Sequence, residues 1–234
     1  MINKDRLKNI CADIGVDLDA QALERFELFA SLLVEKNKVL NLTAITDPEG
    51  IAVKHFADSL TALRMIELNA GDRVIDVGTG GGFPGIPLLI ARPEIELTML
   101  DSTGKKLAFV SQSVEELGLS ANVVHARAEE AGRGELRESF DFARAVAAMN
   151  VLCEYCLPFV KVGGTFCAMK GAKGSEELGC AEKAIAVLGG ETAKTESFIL
   201  PDGGERVLIN VKKISHTATK YPRPSAQISK KPLI

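Results

Sequence analysis

From residue 73 onward the chain alternates short apolar β-type runs with helical ones, and this alternation restricts its fold more than any other feature. The β-type runs are RVIDV (73–77), IELTML (95–100), NVVHA (122–126), FDFARAV (140–146) and GTFCAM (164–169). Helical patterns fall between and after them at 84–91, 104–118, 148–157 and 174–188. Strands that are apolar along their length and alternate with helices are buried on both faces, which requires a largely parallel sheet between two helix layers. Two last β-like runs, ETAKTESFIL (191–200) and RVLINVKKI (206–214), flank Pro201-Asp202-Gly203-Gly204. A turn so rich in Pro and Gly joins neighbouring strands, so an antiparallel pair is expected at the sheet edge.

Residues 4 to about 66 read as helical. Leu23, Phe26, Leu28, Phe29, Leu32 and Leu33 follow helical spacing in a broad stripe. Asp47-Pro48 offers an N-cap with Pro at the first helical position, so a further helix is expected to start there and run through KHFADSLTALRMI (54–66). Three segments follow: helices at 1–68, an α/β domain at 69–214 and a basic tail at 215–234. A chain of 234 residues suits one main domain with appended pieces.

The turn after the first strand, VIDVGTGGGFPGIPLLIA (74–91), carries five glycines. Gly80, Gly82 and Gly85 match a dinucleotide-binding spacing, and Asp101 ends the next strand where a ribose-binding carboxylate belongs. Two features of the turn favour a different adenosine derivative. Asp76 sits two residues before Gly78, where its charge would repel a pyrophosphate but attract the ammonium and sulfonium of S-adenosylmethionine. Pro84 and Pro87 remove N–H donors that a pyrophosphate would use. The terminal hairpin adds a fold analogy with class I methyltransferases. The expected fold is therefore a Rossmann-like, mostly parallel seven-stranded sheet with a C-terminal antiparallel hairpin, preceded by a helical segment. A nicotinamide enzyme is the alternative. In the favoured reading Gly78 and Gly80 admit the methionine half, Asp101 accepts from both ribose hydroxyls, and Ala128-Glu129 lies beside the adenine. The plainer role for Asp101 is to cap the next helix.

The formal net charge of −3 hides a segregation. Residues 206–234 hold seven basic and no acidic side chains, leaving −10 on the first 205 residues. Such an end would hold an anionic polymer, and Lys212, Lys213, Arg223, Lys230 and Lys231 are the candidate phosphate contacts. No run is long and apolar enough for a membrane span, and MINKDRLKNICADIG lacks a signal-peptide core, so a soluble, cytoplasmic protein is expected; a monomer is the expected state. Cys11, Cys153, Cys156, Cys167 and Cys180 stand mostly among apolar residues and suit reduced, buried thiols. Cys153 and Cys156 have no second pair and no nearby His, so core packing is expected rather than metal.

Several motifs together resemble the bacterial small-subunit ribosomal RNA methyltransferase G family, also called glucose-inhibited division protein B. They are NKVLNLTAI (37–45), HFADSL (55–60), DVGTGGGFPGIPL (76–88), LDSTGKK (100–106), AE (128–129), RAVA (144–147), MKG (169–171), YPR (221–223) and KKPL (230–233). The resemblance spans nearly the whole chain. It implies methyl transfer from S-adenosylmethionine to N7 of a guanine in 16S rRNA, within an assembling or assembled small ribosomal subunit. It also implies cofactor contacts at Gly78, Phe83, Ala128, Glu129 and Arg144. Departures from the family pattern are Ala143 for Ser, Ala226 and Ile228 for Gly and Pro in the tail, and Lys36 for Trp.

Guanine N7 carries a lone pair and no proton, so no general base is expected and orientation should dominate catalysis. Arg144 is the candidate for orienting the guanine, either through a phosphate or through O6, with N7 left free. N7 lies in the deep, narrow groove of A-form RNA, so the target should be unpaired or distorted. His55 and Asp58, three apart on a helix, could pair with each other or wall the cofactor site. Lys170 could face substrate or be solvated.

Overall fold

The computed structural model describes residues 1–145 and 148–233, with the backbone alone at Arg144 and Ala145. The expected helical segment comprises α1 (Lys4–Asp13) and α2 (Ala20–Leu40), followed by α3 (Pro48–Gly50) and α4 (Asp58–Leu60). Asn3 caps α1 through Arg6 N, and Asp19 caps α2 through Ala22 N. Asp47 accepts from Gly50 N and starts α3, as the Asp-Pro pair foretold. The helix beyond it departs from one regular stretch: Ile51–Ala57 is π-helical and Thr61–Arg64 is a 3₁₀ turn. The wider π turn leaves Ile51, Ala52, Val53, Phe56 and Ala57 all buried, more than one α-helical stripe would carry inward. In α2 the buried stripe is Phe26, Phe29, Ala30 and Leu33; Leu28, counted with it above, is exposed.

The strands are β1 (Arg73–Val77), β2 (Glu96–Asp101), β3 (Asn122–His125), β4 (Phe140–Ala145), β5 (Val160–Lys170), β6 (Gly190–Ile199) and β7 (Glu205–Lys213). They form one seven-stranded sheet in the order β3-β2-β1-β4-β5-β7-β6. All pairings among β1 to β5 are parallel, and β7 runs antiparallel between β5 and β6. The crossovers are α5 (Gly85–Ala91), α6 (Gly104–Glu116), α7 (Ala128–Ala131), α8 (Met149–Cys156) and α9 (Gly174–Val187). Side chains alternate across the sheet. Val74 and Met99 join one core with Phe26, Phe29, Phe56, Leu89 and Phe109. Their neighbours Ile75 and Leu100 join the other with Leu152, Cys153, Cys156 and Ile185. The N-terminal helices thus complete one of the two layers over the sheet.

Past β7 the chain does not leave the domain as a free tail. It runs as a strap along α7 and α8 and ends in α10 (Ser225–Lys230). Arg133 Nε donates to the Pro222 carbonyl at 2.7 Å, and Arg137 donates to the carbonyls of Thr217 and Tyr221. Tyr221 and Ile228 are buried, so Ile228, one of the departures from the family pattern, is an apolar anchor here.

Cys11, Cys153, Cys156 and Cys167 are buried, and burial pushes the Cys153 thiol up to about 12 and the Cys156 thiol well above its usual range. Cys180 departs from the expectation and is exposed. Lys213 also departs. Its side chain is fully buried, and Nζ donates to the Leu157 carbonyl at 2.7 Å and to Thr217 Oγ1, so it cannot be a phosphate contact. Desolvation lowers its ammonium to about 8 from 10.5, against the pull of Glu138. Between these values the unfolded chain holds a proton the folded chain has released, so stability should rise with pH there. Denaturant titrations from pH 8 to about 10 should show wild type gaining stability relative to Lys213→Met; parallel curves would contradict this.

Candidate cofactor cleft and nucleic-acid surface

Strand order reverses at β1, which lies between β2 and β4, and ligands of open α/β sheets bind at the carboxyl ends of strands flanking such a point. A cleft of about 280 Å³ opens there. Gly78 lines it from the end of β1, Asp101 and Ser102 come from the end of β2, and Ala126 to Glu129 come from the end of β3 and the start of α7. Gly78, Asp101, Ala128 and Glu129, all singled out from sequence, are therefore brought together. Gly78 has φ of +76°, and a Cβ there would meet no atom within 4 Å. Gly78→Ala should accordingly cost only about 1–2 kcal/mol of folding while weakening S-adenosylhomocysteine binding at least tenfold in calorimetry; unchanged affinity would contradict this.

Asp101 is held in position by the turn it serves. Its Oδ2 accepts from Gly80 N at 2.9 Å and its Oδ1 from Thr103 N at 2.8 Å. An ionised carboxylate offers about four lone-pair sites, so one on each oxygen remains for a ligand. Thr103, not Asp101, is the N-cap residue of α6.

Asp76 does not line the cleft. It is buried beneath the turn, where Oδ2 accepts from Thr79 Oγ1 at 2.6 Å and from Gly85 N at 3.0 Å. The sequence reading of Asp76 as an acid facing the cofactor's cations is corrected: it fastens the two ends of the glycine turn. A Cβ on Gly85 would sit 2.9 Å from that same oxygen, so the pairing needs glycine there.

Phe83 also lies away from the cleft. Its ring stacks on His55 at 4.5 Å and packs against Phe29 at 5.4 Å. His55 Nε2 is 2.7 Å from Thr43 Oγ1, and Thr43 N and O are both bonded by the Asn37 side chain. Burial holds the His55 imidazole below its usual range. Asp58 pairs with Arg206 instead, both guanidinium contacts lying near 3 Å. The motifs NKVLNLTAI and HFADSL thus buttress the glycine turn from outside, a role that spacing along the chain did not show.

The basic residues of the C-terminal segment separate by environment. Arg223 gives Nε and Nη2 to the fully buried Glu154 carboxylate, at 2.8 and 2.7 Å, and is corrected from phosphate contact to internal clamp. Lys212 is exposed, but its register partner Thr165 lies opposite Phe142, which lies opposite Val74. That places Lys212 at the edge of the sheet away from the cleft, because β1 presents Gly78 from its other end. Lys230 and Lys231 are exposed at the end of α10. Ser225, the first residue of this helix, lines the cleft. Lys170 is buried and pairs with Glu177 at 2.7 Å, so it is not solvated. Arg144 is placed by its backbone in β4, opposite Asp76 and Cys167; its side chain lies outside the described residues, as do Val146 and Ala147 of the RAVA motif. Leu152, Tyr155 and Ser225 complete the cleft and were not anticipated, since nothing local in sequence brings α8 and α10 together.

Among the described residues no group of His, Cys, Asp and Glu could hold a metal ion, and no helix is long and apolar enough to cross a membrane. The family model for GidB, rRNA small subunit methyltransferase G, matches residues 22–207. The chain belongs to this family. The ribosomal RNA small subunit methyltransferase G of Alkaliphilus metalliredigens is 45% identical, with 100% of both chains covered. That of Geobacillus thermodenitrificans is 49% identical over 94% of each. Among solved structures, TYW2 of M. jannaschii in complex with AdoMet aligns with a TM-score of 0.50 at 16% identity, covering 62% of this chain and 71% of that one, a likeness of fold. As a member of the methyltransferase G family the chain is an S-adenosylmethionine-dependent methyltransferase.

Proposed function

We propose that the chain transfers the methyl group of S-adenosylmethionine to N7 of a guanine in small-subunit ribosomal RNA. The observation that carries this reading is where the N–H groups of the glycine turn are directed. Gly78 and Thr79 donate to the Leu100 carbonyl, Gly80 to Asp101, Gly82 and Phe83 to the Thr79 carbonyl, and Gly85 to Asp76. Pro84 has no N–H to give. A pyrophosphate would find these donors already engaged, whereas an adenosine without phosphates asks only for a carboxylate at its ribose and space at Gly78.

Bound S-adenosylmethionine supplies an electrophilic methyl group on its sulfonium. Asp101 accepts from the ribose hydroxyls, Gly78 leaves room for the methionine half, and Ala128 and Glu129 border the adenine. Guanine N7 is not protonated, so the chain needs to orient the base and exclude water, not to remove a proton. Arg144 is assigned to the guanine or its phosphate from its place at the end of β4. Lys230, about 7.5 Å along α10 from Ser225, and Lys231, which follows it, are assigned to the RNA backbone.

Purified small subunits lacking the modification, incubated with methyl-labelled cofactor and then digested, should yield labelled 7-methylguanosine. Label in ribosomal protein, or at another atom of the RNA, would overturn the proposal.

A further inference from the structure

One wall of the cleft comes from neither the glycine turn nor the strand ends. Tyr155 of α8 and Ser225 of α10 both line the cavity, and their hydroxyl oxygens lie 3.1 Å apart. One hydroxyl donates to the other, which leaves the pair a further donor and unused lone pairs. We propose that Tyr155 and Ser225 bind the cofactor directly, so that the C-terminal strap is part of the S-adenosylmethionine site and not solely an arm for nucleic acid. This rests on the cleft being that site.

The strap is clamped in the register the pair requires. Arg223, two residues before Ser225, bonds Glu154, the residue before Tyr155, through its backbone N at 2.8 Å as well as its guanidinium. Glu154 is fully buried, so lifting the strap would strand a carboxylate without its partner. The other side of the strap meets the adenine-side wall. Arg133 and Arg137, just after α7, hold the carbonyls of Pro222 and Tyr221. Gly132, just before Arg133, packs closely on the strap: a Cβ there would lie 3.1 Å from the Ala128 carbonyl and 3.4 Å from Pro222 Cγ, a tight fit. The strap therefore bridges α7, which carries Ala128 and Glu129, and α8, which carries Tyr155.

Calorimetric titration of the full-length protein with S-adenosylhomocysteine decides the matter. Tyr155→Phe and Ser225→Ala should each bind about tenfold more weakly than wild type with unchanged melting temperature, and Ser225→Thr, which keeps the hydroxyl, should bind normally. The double variant should lose less than the product of the two, because the hydroxyls share a hydrogen bond. In wild type the ligand should also slow tryptic cleavage at Lys220 and Lys230, and in the double variant it should not. Both single variants binding within twofold of wild type would overturn the proposal while leaving the cleft assignment intact. No binding by wild type would overturn both.

Discussion

Asp101→Ala should weaken S-adenosylhomocysteine binding by about two to four orders of magnitude. Two hydrogen bonds from ribose hydroxyls to a charged acceptor are lost, each about 1.5–3 kcal/mol, and 1.4 kcal/mol is a factor of ten. The variant also releases Gly80 N and Thr103 N, which the carboxylate now holds at 2.9 and 2.8 Å, so the turn loses the anchor that shapes it. Asp101→Asn should fall between, because an amide keeps one acceptor oxygen and turns an NH₂ group toward one of those N–H donors. Isothermal calorimetry of the three proteins measures this. A loss of less than tenfold in the Ala variant would show that Asp101 shapes the turn without contacting the cofactor.

Arg223→Ala should be the most destabilising single change in the C-terminal segment. Glu154 would remain fully buried with its guanidinium partner gone, and breaking a buried pair from one side costs about 3–5 kcal/mol. For a chain of this size that is a fall of about 10 °C in melting temperature. Removing both charges with apolar residues, as in Glu154→Leu with Arg223→Leu, should restore most of the loss, because no charge is then stranded. Thermal melts of the single and double variants separate the two causes. A double variant as unstable as the single one would mean that packing of the strap, not the unpaired carboxylate, is what Arg223 supplies.

These predictions differ in how far the sequence foretold them. The position of Asp101 beside the glycine turn was legible because it is local: it stands directly after a β-type run, 21 residues beyond Gly80. Of the five crossover helices, α5, α6, α8 and α9 were legible with their strands for the same reason, since periods of 2 and 3.6 are properties of single segments. Asp76 was misplaced although its neighbourhood was read correctly. Proximity along the chain says that an acid is near the turn, but only the turn's path, with Gly85 N returning to Oδ2 at 3.0 Å, says that the acid lies beneath it.

The C-terminal cations show the same limit from another side. Charge counted along the chain made Lys213 and Arg223 look like part of a solvated basic arm. One is buried at the edge away from the cleft and the other clamps the strap to α8. Arg206, also in that stretch, is taken up by Asp58, 148 residues earlier.

By itself the sequence determined the α/β class, the glycine turn, the carboxylate beside it and, through motifs spread along the chain, the family. These depend on short-range periodicity, backbone freedom and residue identity, which survive when the chain is written as a line. The tertiary structure alone decided which face each charged group took and what closed the cleft. Pairing Glu154 with Arg223, Tyr155 with Ser225 and His55 with Phe83 requires segments 28 to 70 residues apart to meet. Burial, which sets whether a cation meets solvent or a carboxylate, exists only once they have met.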